Sequence, residues 1–512
     1  TRVAIIYRYS YLSSPVNSNN KNTYTVSDVL KDGTTPLSIN SNIVDVNFVS
    51  GFDGATTSPI SIADYWIYTF SSNNGSRANY EQKRSTGIIN QTNGFLIKGT
   101  GVEQNFTFFG SAKDGELTTT IGAGDSYLLG NPYPSTISAK KFIEDNINAI
   151  NGTLYFWQHA GEEDIASSNT AGHSFNGYIG GYATRNIAMG ISANLVPSNE
   201  RNRLNSNNIN VETYQSPGNY IPVGVGFFVG GSETGGKIVF NNSQREYKTN
   251  SIIDAERDTN LLEKVLDIFP IIDFKDPNEL PILKLGMDYT EPKKQTIHRQ
   301  IGISFNKNNS FANENGYDSE LFDLNDTDIY WKFNDDELKY SIAGVQEISS
   351  NLEVPLEIVL NYNGEISIGI DEKNHIKSSI YLKDKVTDSI YDLSKNVQLN
   401  LDSGTYTNRF YLTFSKEKNI LDVIPEIITA PKEYLKIYFD NSSNKIIIEK
   451  EDNISISSIQ FSRFFGRSAN KWIIKNQRKK IQLKVRKRIR RGIYIVNIKT
   501  NKGNFNKKII IE

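Results

Sequence analysis

Four aspartates, Asp318, Asp323, Asp326 and Asp328, crowd the stretch between Tyr317 and Tyr330. Carboxylates alternating along a loop can offer oxygen ligands to Ca²⁺, which takes six to eight of them. The stretch lacks the Asp-x-[Asp/Asn]-x-[Asp/Asn]-Gly order and the distal Glu of an EF-hand, so a solvated acidic turn competes with a calcium site. The four histidines, His159, His173, His298 and His375, show no i, i+4 spacing. With no cysteine in the chain, thiol catalysis, disulfides and zinc–thiolate sites are excluded. His159 and His173 flank Glu162, Glu163 and Asp164 in a polar stretch that reads first as a solvated loop. The Gly-rich strings at 94–101 and 223–236 carry no Gly-Lys-Ser/Thr and open no helix, and no Gly-x-Ser-x-Gly elbow is present. No motif nominates a pair among the 57 acidic residues for glycoside hydrolysis. The expectation is a protein without catalytic residues or a resident cofactor, calcium being the one open candidate. Trp66, Trp157 and Trp331 could stack on sugar faces, although core packing is the competing role for each.

A second chemistry is electrostatic. Residues 475–491 hold ten basic side chains in seventeen. Ile481, Leu483, Val485 and Ile489 fall on every second position apart from Lys487, which predicts a strand with one buried and one cationic face. Lys484, Arg486, Arg488, Arg490 and Arg491 would then attract an anionic partner such as lipopolysaccharide or an acidic translocon surface. A helical nucleic-acid arm would need a 3.6-residue period, which is absent, so nucleic acid is not the expected partner. The strip belongs to a polarised chain: 430–512 carries 21 Lys and Arg against 6 Asp and Glu, a net +15, whereas 1–429 carries 35 against 51, a net −16.

These residues need a scaffold of several cores, because 512 residues exceed what one hydrophobic core organises. With 27 Tyr and 26 Phe among many Ile, Thr and Asn, the composition favours strands. The fold class predicted is all-β: tandem β-sandwich-like modules and a small C-terminal immunoglobulin-like sandwich. The first module, 1–250, reads as a duplication with repeats at about 7–110 and 125–242. Ser10-Tyr11-Leu12 is echoed by Ser126-Tyr127-Leu128, and Tyr65-Trp66-Ile67-Tyr68 by Leu154-Tyr155-Phe156-Trp157. Gly94-Phe95-Leu96-Ile97 with Phe106-Thr-Phe108 is echoed, at the same spacing, by Gly226-Phe227-Phe228-Val229 with Ile238-Val-Phe240. One helix is expected over 138–148, with Ala139, Phe142, Ile143 and Ile147 on one face. Linkers are expected at 251–281 and 416–431, separating a β-sandwich at 282–415 and a terminal module at 432–512. No apolar run approaches a membrane-spanning length. The chain opens at Thr1-Arg-Val-Ala without an initiator Met or signal peptide, which reads as a processed product or a fragment of something longer.

The last twenty-one residues predict a β-hairpin: Gly492-Ile-Tyr-Ile-Val, a turn at Asn501-Lys-Gly503, and a return over 505–511. This ending resembles the C-terminal sorting domain carried by cargo of the type IX secretion system of Bacteroidota, with its Gly-Ile-Tyr-Ile-Val strand, Gly turn and Lys-Lys-apolar close. The body is similar to a recurrent region of large flavobacterial surface proteins, through Leu129-Gly-Asn-Pro-Tyr-Pro134, Gly152-Thr-Leu-Tyr-Phe-Trp157, Val225-Gly-Phe-Phe-Val229, Val354-Pro-Leu356 and Ile380-Tyr-Leu-Lys-Asp384. The resemblance implies export through periplasm and outer membrane to the cell surface or medium. It implies as partners the outer-membrane translocon and its shuttle or receptor β-barrel protein. Recognition would then fall on Gly492, Tyr494, Val496, Gly503, Lys507, Lys508 and Ile510. The body would be a non-catalytic, adhesin-like passenger. The competing expectation is a carbohydrate-binding or hydrolytic exoprotein whose active domain lies upstream of residue 1 or within 1–250.

Overall fold

Alternating apolar and polar residues, punctuated by Gly, Asn and Asp, turn most of this chain into strands. The computed structural model describes residues 2–3, 9–18, 22–33, 43–71, 79–100, 104–159, 180–193, 196–197, 203–204, 210–211, 216–247, 280–291, 296–321, 324–333, 338–416, 435–440, 445–450, 454–463, 468–475, 478–485, 492–501 and 503–511. Over these the fold is all-β and sandwich-like, with one sheet curled into a half-barrel and another nearly closed. The chain divides into two compact units, 1–417 and 418–512.

The duplication is topological. One sheet runs Tyr9–Leu12, Phe95–Lys98, Tyr68–Ser71, then Ser126–Gly130, Gly226–Gly231, Ile150–His159, and on to Gly180–Arg185 and Gly190–Ile191. The first three strands and the next three follow the same order: opening strand, returning strand, middle strand. Phe95 faces Leu12 and Phe227 faces Leu129, so Leu12 is the counterpart of Leu129 and Pro15 of Pro132. Matching Ser10-Tyr11-Leu12 to Ser126-Tyr127-Leu128 is therefore one residue out of register. Local identity misleads here because strand side chains alternate, and only matching Leu12 to Leu129 keeps both facing their cores.

Other landmarks follow the corrected alignment. Thr23–Tyr24 pairs with Ile89–Asn90, and Thr136–Ser138 with Tyr220–Ile221. A helix follows each: Val26–Val29, capped by the Thr25 hydroxyl, and Ala139–Asn146, capped by the Ser138 hydroxyl. The second is the helix expected from its periodicity. It buries Ala139, Phe142 and Ile143, with Ile147 partly buried against the same core.

Each repeat has its own core, one around Leu12, Phe95 and Phe106, the other around Leu129, Phe227 and Phe240. Their backbones interlock: Ser13 N–H donates to Gly224 O at 3.0 Å, and Gly130 N–H to Thr92 O at 3.1 Å. Leu12 bridges Val225 and Asn93 bridges Leu129, so each opening strand is extended by the other repeat.

The second sandwich is a long sheet folded around one core that includes Leu285, Ile303, Trp331, Leu356, Ile368 and Phe410. Its strands run Ser389–Asp392, Tyr381–Asp384, Gly404–Thr413, Glu353–Leu360, Asp328–Trp331, Tyr340–Val345, Thr296–Phe305, Ile282–Thr290, Gly364–Asn374 and Val397–Leu401. Residues 251–279, the greater part of the expected linker, lie outside the described residues. The modules on either side of it share one compact unit. Val196–Pro197 pairs with Thr296–Phe305, Met189 and Ile191 pack on Ile342, and Ile187 N–H donates to Gly316 O at 2.9 Å. The joining residues, 186–217, sit between the second repeat's strands and have no counterpart in the first, so duplication-based reasoning could not assign them a place.

The unit 418–512 is a two-sheet sandwich. Leu435–Asp440, Lys445–Lys450 and Lys480–Lys484 form one sheet; Ser468–Ile473, Ile456–Arg463, Gly492–Thr500 and Gly503–Ile511 form the other. Ile446, Ile448, Ile481 and Leu483 from the first meet Ile459, Phe461, Val496 and Ile498 from the second. Each fully buried side chain of this size contributes about 1.5–3 kcal/mol, which gives this short unit a hydrophobic core of its own.

Candidate functional site

The terminal hairpin forms as its sequence dictates. Gly492 faces Ile511 and Thr500 faces Gly503, so Asn501 stands at the turn between the strands. Asn501 fixes the turn against the neighbouring strand: its N–H donates to Ser455 O at 3.0 Å and its Oδ1 accepts from Ser455 N–H at 2.8 Å. Gly492 and Gly503 each begin a strand. Tyr494 pairs with Arg463 on one side and Ile509 on the other, while Lys507, Lys508 and Ile510 face Val496, Ile495 and Ile493. Val496 is fully buried in the unit's core. It can hold the strand in place but cannot touch a receptor, which corrects the expectation that it belongs to a recognition surface. Gly503–Ile511 is the outer strand of its sheet, with Gly492–Thr500 as its one ladder partner among the described strands.

The cationic strand is seen in part. Along Lys480–Lys484 burial alternates, with Ile481 and Leu483 inside and Lys480, Gln482 and Lys484 outside. Lys480 reaches Glu449 at 2.8 Å, and this carboxylate raises its pKa. Arg486, Arg488, Arg490 and Arg491 lie outside the described residues.

Among the described residues the acidic stretch does not assemble a calcium site. Asp318 Oδ2 accepts the Glu314 N–H at 2.6 Å and Oδ1 accepts the Gly344 N–H at 2.7 Å. Asp328 Oδ1 accepts from Arg299 Nε at 2.6 Å, Oδ2 from the Asn325 N–H. Carboxylates aimed at N–H donors and a guanidinium are turned to structural use, and a cation would have to displace those donors. Asp326 is exposed and Asp323 lies outside the described residues. Among the described residues no three His, Asp or Glu side chains converge as a metal would require. Burial pushes the Asp318 carboxyl up to about 7. His173 lies outside the described residues, as does the side chain of His159.

Sequence reasoning missed a polar cluster around His298. This ring is buried, its Nδ1 2.7 Å from Asp288 and its Nε2 2.9 Å from Asp371. Asp288 and His298 face each other across one hairpin, so folding the sequence back about residue 293 would have revealed that pair. Asp371 comes from a distant strand and left no local signal.

The tryptophans separate. Trp331 is fully buried, its Nε1–H donating to Gly302 O at 2.6 Å, and Trp66 is buried with its Nε1–H on Phe52 O at 2.7 Å. Both are core residues. Trp157 is half-buried and meets Tyr182 edge-to-face at 5.2 Å. Tyr182 in turn packs on Phe228, and Phe228 on Tyr11 and Phe70. Tyr80, exposed by 45%, closes this aromatic group through a 2.6 Å hydroxyl contact with Tyr11. The group lines the face of the duplicated sheet opposite the two cores.

No curated protein matches the chain. A family model described as Domain of unknown function (DUF8693) matches residues 46–414, ending just before the boundary between the two compact units. Its match spans the second repeat, the joining segment and the whole second sandwich, and the chain belongs to that family.

Proposed function

We propose that the chain is a secreted or cell-surface protein of Bacteroidota exported by the type IX secretion system. In this reading 418–512 is the address read by the transport machinery, and 1–417 is a non-catalytic, adhesin-like passenger. The observation that carries it is the self-contained core of 418–512, which ends on a hairpin whose last strand is a sheet edge. An outer strand offers a row of backbone N–H and C=O groups to an incoming strand, a capture mode in which the main chain supplies affinity and alternate side chains supply specificity. The partners would be the outer-membrane translocon and its receptor β-barrel, with lipopolysaccharide as an anionic partner of the cationic strand. The test fuses 418–512 to a fluorescent reporter in a type IX-competent host. Reporter at the surface or in the medium is expected, with loss of export when 492–512 is deleted; an intact fusion held in the periplasm would refute the assignment.

A second reading, carbohydrate binding by 1–250, is favoured by the partly exposed Tyr80, Trp157 and Tyr182. A glycan array probed with the full chain and with Trp157→Ala separates the two: binding lost in the variant supports it, and no binding by either removes it.

A further inference from the structure

His298 is enclosed by ionisable groups on three adjacent strands. Asp288 faces it from Ile282–Thr290 and Asp371 from Gly364–Asn374. Lys284 and Glu372, paired at 2.7 Å, sit further along the same two strands. On its other side Val196–Pro197 pairs with it and brings no titratable group. Arg299, its neighbour in sequence, is engaged with Asp328. The enclosure is built for the ring: a Cβ on Gly286 would lie 2.2 Å from His298 Cε1 and 2.5 Å from Asp371 Oδ1.

With Asp288 and Asp371 both ionised, hydrogen-bond stoichiometry sets the state of this ring. A neutral imidazole has one donor and one acceptor nitrogen, whereas an ionised carboxylate only accepts. A neutral ring would leave one of the two short contacts as acceptor facing acceptor in a buried site. Imidazolium donates to both. Asp371 also accepts Gln300 Nε2–H at 2.7 Å, and this sets the amide so that Gln300 Oε1 accepts the Ser192 N–H and the Ser216 hydroxyl, each at 3.3 Å. Lys284 donates to the same Ser216 at 3.1 Å. Ser192 and Ser216 belong to the joining segment 186–217, and Gln300 and Lys284 to the second sandwich.

We propose that His298 is a proton-held rivet: charged at neutral pH, it ties three strands together and, through Asp371 and Gln300, fastens the duplicated module to the second sandwich. Proton loss sets one carboxylate against a bare ring nitrogen, displaces Asp371 and frees Gln300. The stabilisation is present while the ring is charged and is lost as pH rises through its titration.

The test uses the full chain with ¹⁵N-labelled histidine. At pH 7.5, where a free imidazole of pKa about 6.5 is mostly neutral, both His298 nitrogens should resonate as imidazolium. Asp288→Asn, at a partly exposed position, should move the ring's titration to a pH about 1 lower, because one opposite charge is gone. Hydrogen-exchange protection of the Ser192 amide should fall at least tenfold across the wild-type titration and lose that dependence in His298→Gln. A single neutral tautomer at pH 7.5, or a titration unmoved by Asp288→Asn, would overturn the proposal without requiring any His298 variant to fold. Ser192 protection with the same pH profile in wild type and His298→Gln would also overturn it.

Discussion

The two repeats of the duplicated module share strand order, helix placement and interlocking backbone bonds, yet they handle charge differently. Five residues beyond the matched Phe108 and Phe240, the first repeat has Lys113 and the second Arg245. Each cation lies over a tyrosine, Lys113 4.6 Å from the Tyr24 ring and Arg245 5.1 Å from the Tyr133 ring. Lys113 is buried and donates to two carbonyl oxygens, Ser14 at 2.7 Å and Gln91 at 2.6 Å; burial holds its pKa well below the usual lysine range. Arg245 keeps a route to water and pairs with the exposed Asp114 at 2.6 Å. Each copy thus sets a cation over a tyrosine, but the rings come from different positions, Tyr133 directly after Pro132 and Tyr24 on the short strand beyond Pro15, and each copy satisfies its cation from its own surroundings. The second copy also carries the segment 186–217, whose described residues tie it to the second sandwich.

The largest effect should come from the shared core position. Phe95→Ala and Phe227→Ala should each cost about 3–5 kcal/mol in chemical denaturation. Because the repeats complete each other's strands, both variants should shift one common transition. Two transitions, each moved by only one variant, would break the interlocking picture.

The cations should differ next. Lys113→Met leaves two buried carbonyls without their donor, at a cost of about 1–3 kcal/mol at pH 10. The lysine's depressed folded pKa means its contribution is full above the ordinary value of 10.5 and fades as pH falls, so the gap between wild type and variant should narrow toward pH 7. Arg245→Met should cost less than about 1 kcal/mol, as expected for a solvent-exposed pair. Equal costs at every pH would erase the distinction.

Asp318 tests the second copy's attachment, since the adjoining Tyr317 carbonyl accepts from Asn186 Nδ2 at 2.7 Å. With its carboxyl raised from 3.8 to about 7, its contribution is full below 3.8 and is lost as pH rises through 7. Asp318→Asn should therefore flatten the fall in stability between about pH 4 and 7; an unchanged profile would show that the carboxylate is hydrated.

The smallest effects concern the helix caps. Ser138→Ala removes the acceptor for Lys141 N–H and should cost about 0.5–2 kcal/mol, more than Thr25→Ala on its single helical turn. Thermal denaturation of both variants checks the order.

Much of this architecture is legible in the sequence because it is local. The terminal hairpin, the alternation along Lys480–Lys484 and the helix at Ala139–Asn146 follow from periods of 2 and 3.6 residues. The duplication was readable from Gly94-Phe95 and Gly226-Phe227, whereas its register was not, because the identity at Ser-Tyr-Leu carries no information about which face is buried. The acidic stretch misled for a related reason: spacing on paper does not reveal that Asp318 and Asp328 point at different donors. The joint between the body's modules depends on contacts such as Val196 with His298 and Asp371 with His298, which bring together residues far apart in the chain. Tyr494 and Lys508 of the terminal strand pair are placed by backbone register, and the chemistry of their side chains is what the export assay reads.

The interlocking of the repeats has a consequence for how the polypeptide reaches its final form. Leu12 meets Val225 and Ser13 donates to Gly224, so the opening strand cannot finish its ladder until residue 225 has emerged from the ribosome. Contacts of such long sequence separation slow folding. A nascent body would stay incomplete through most of its synthesis, available during that interval to chaperones that hold chains open.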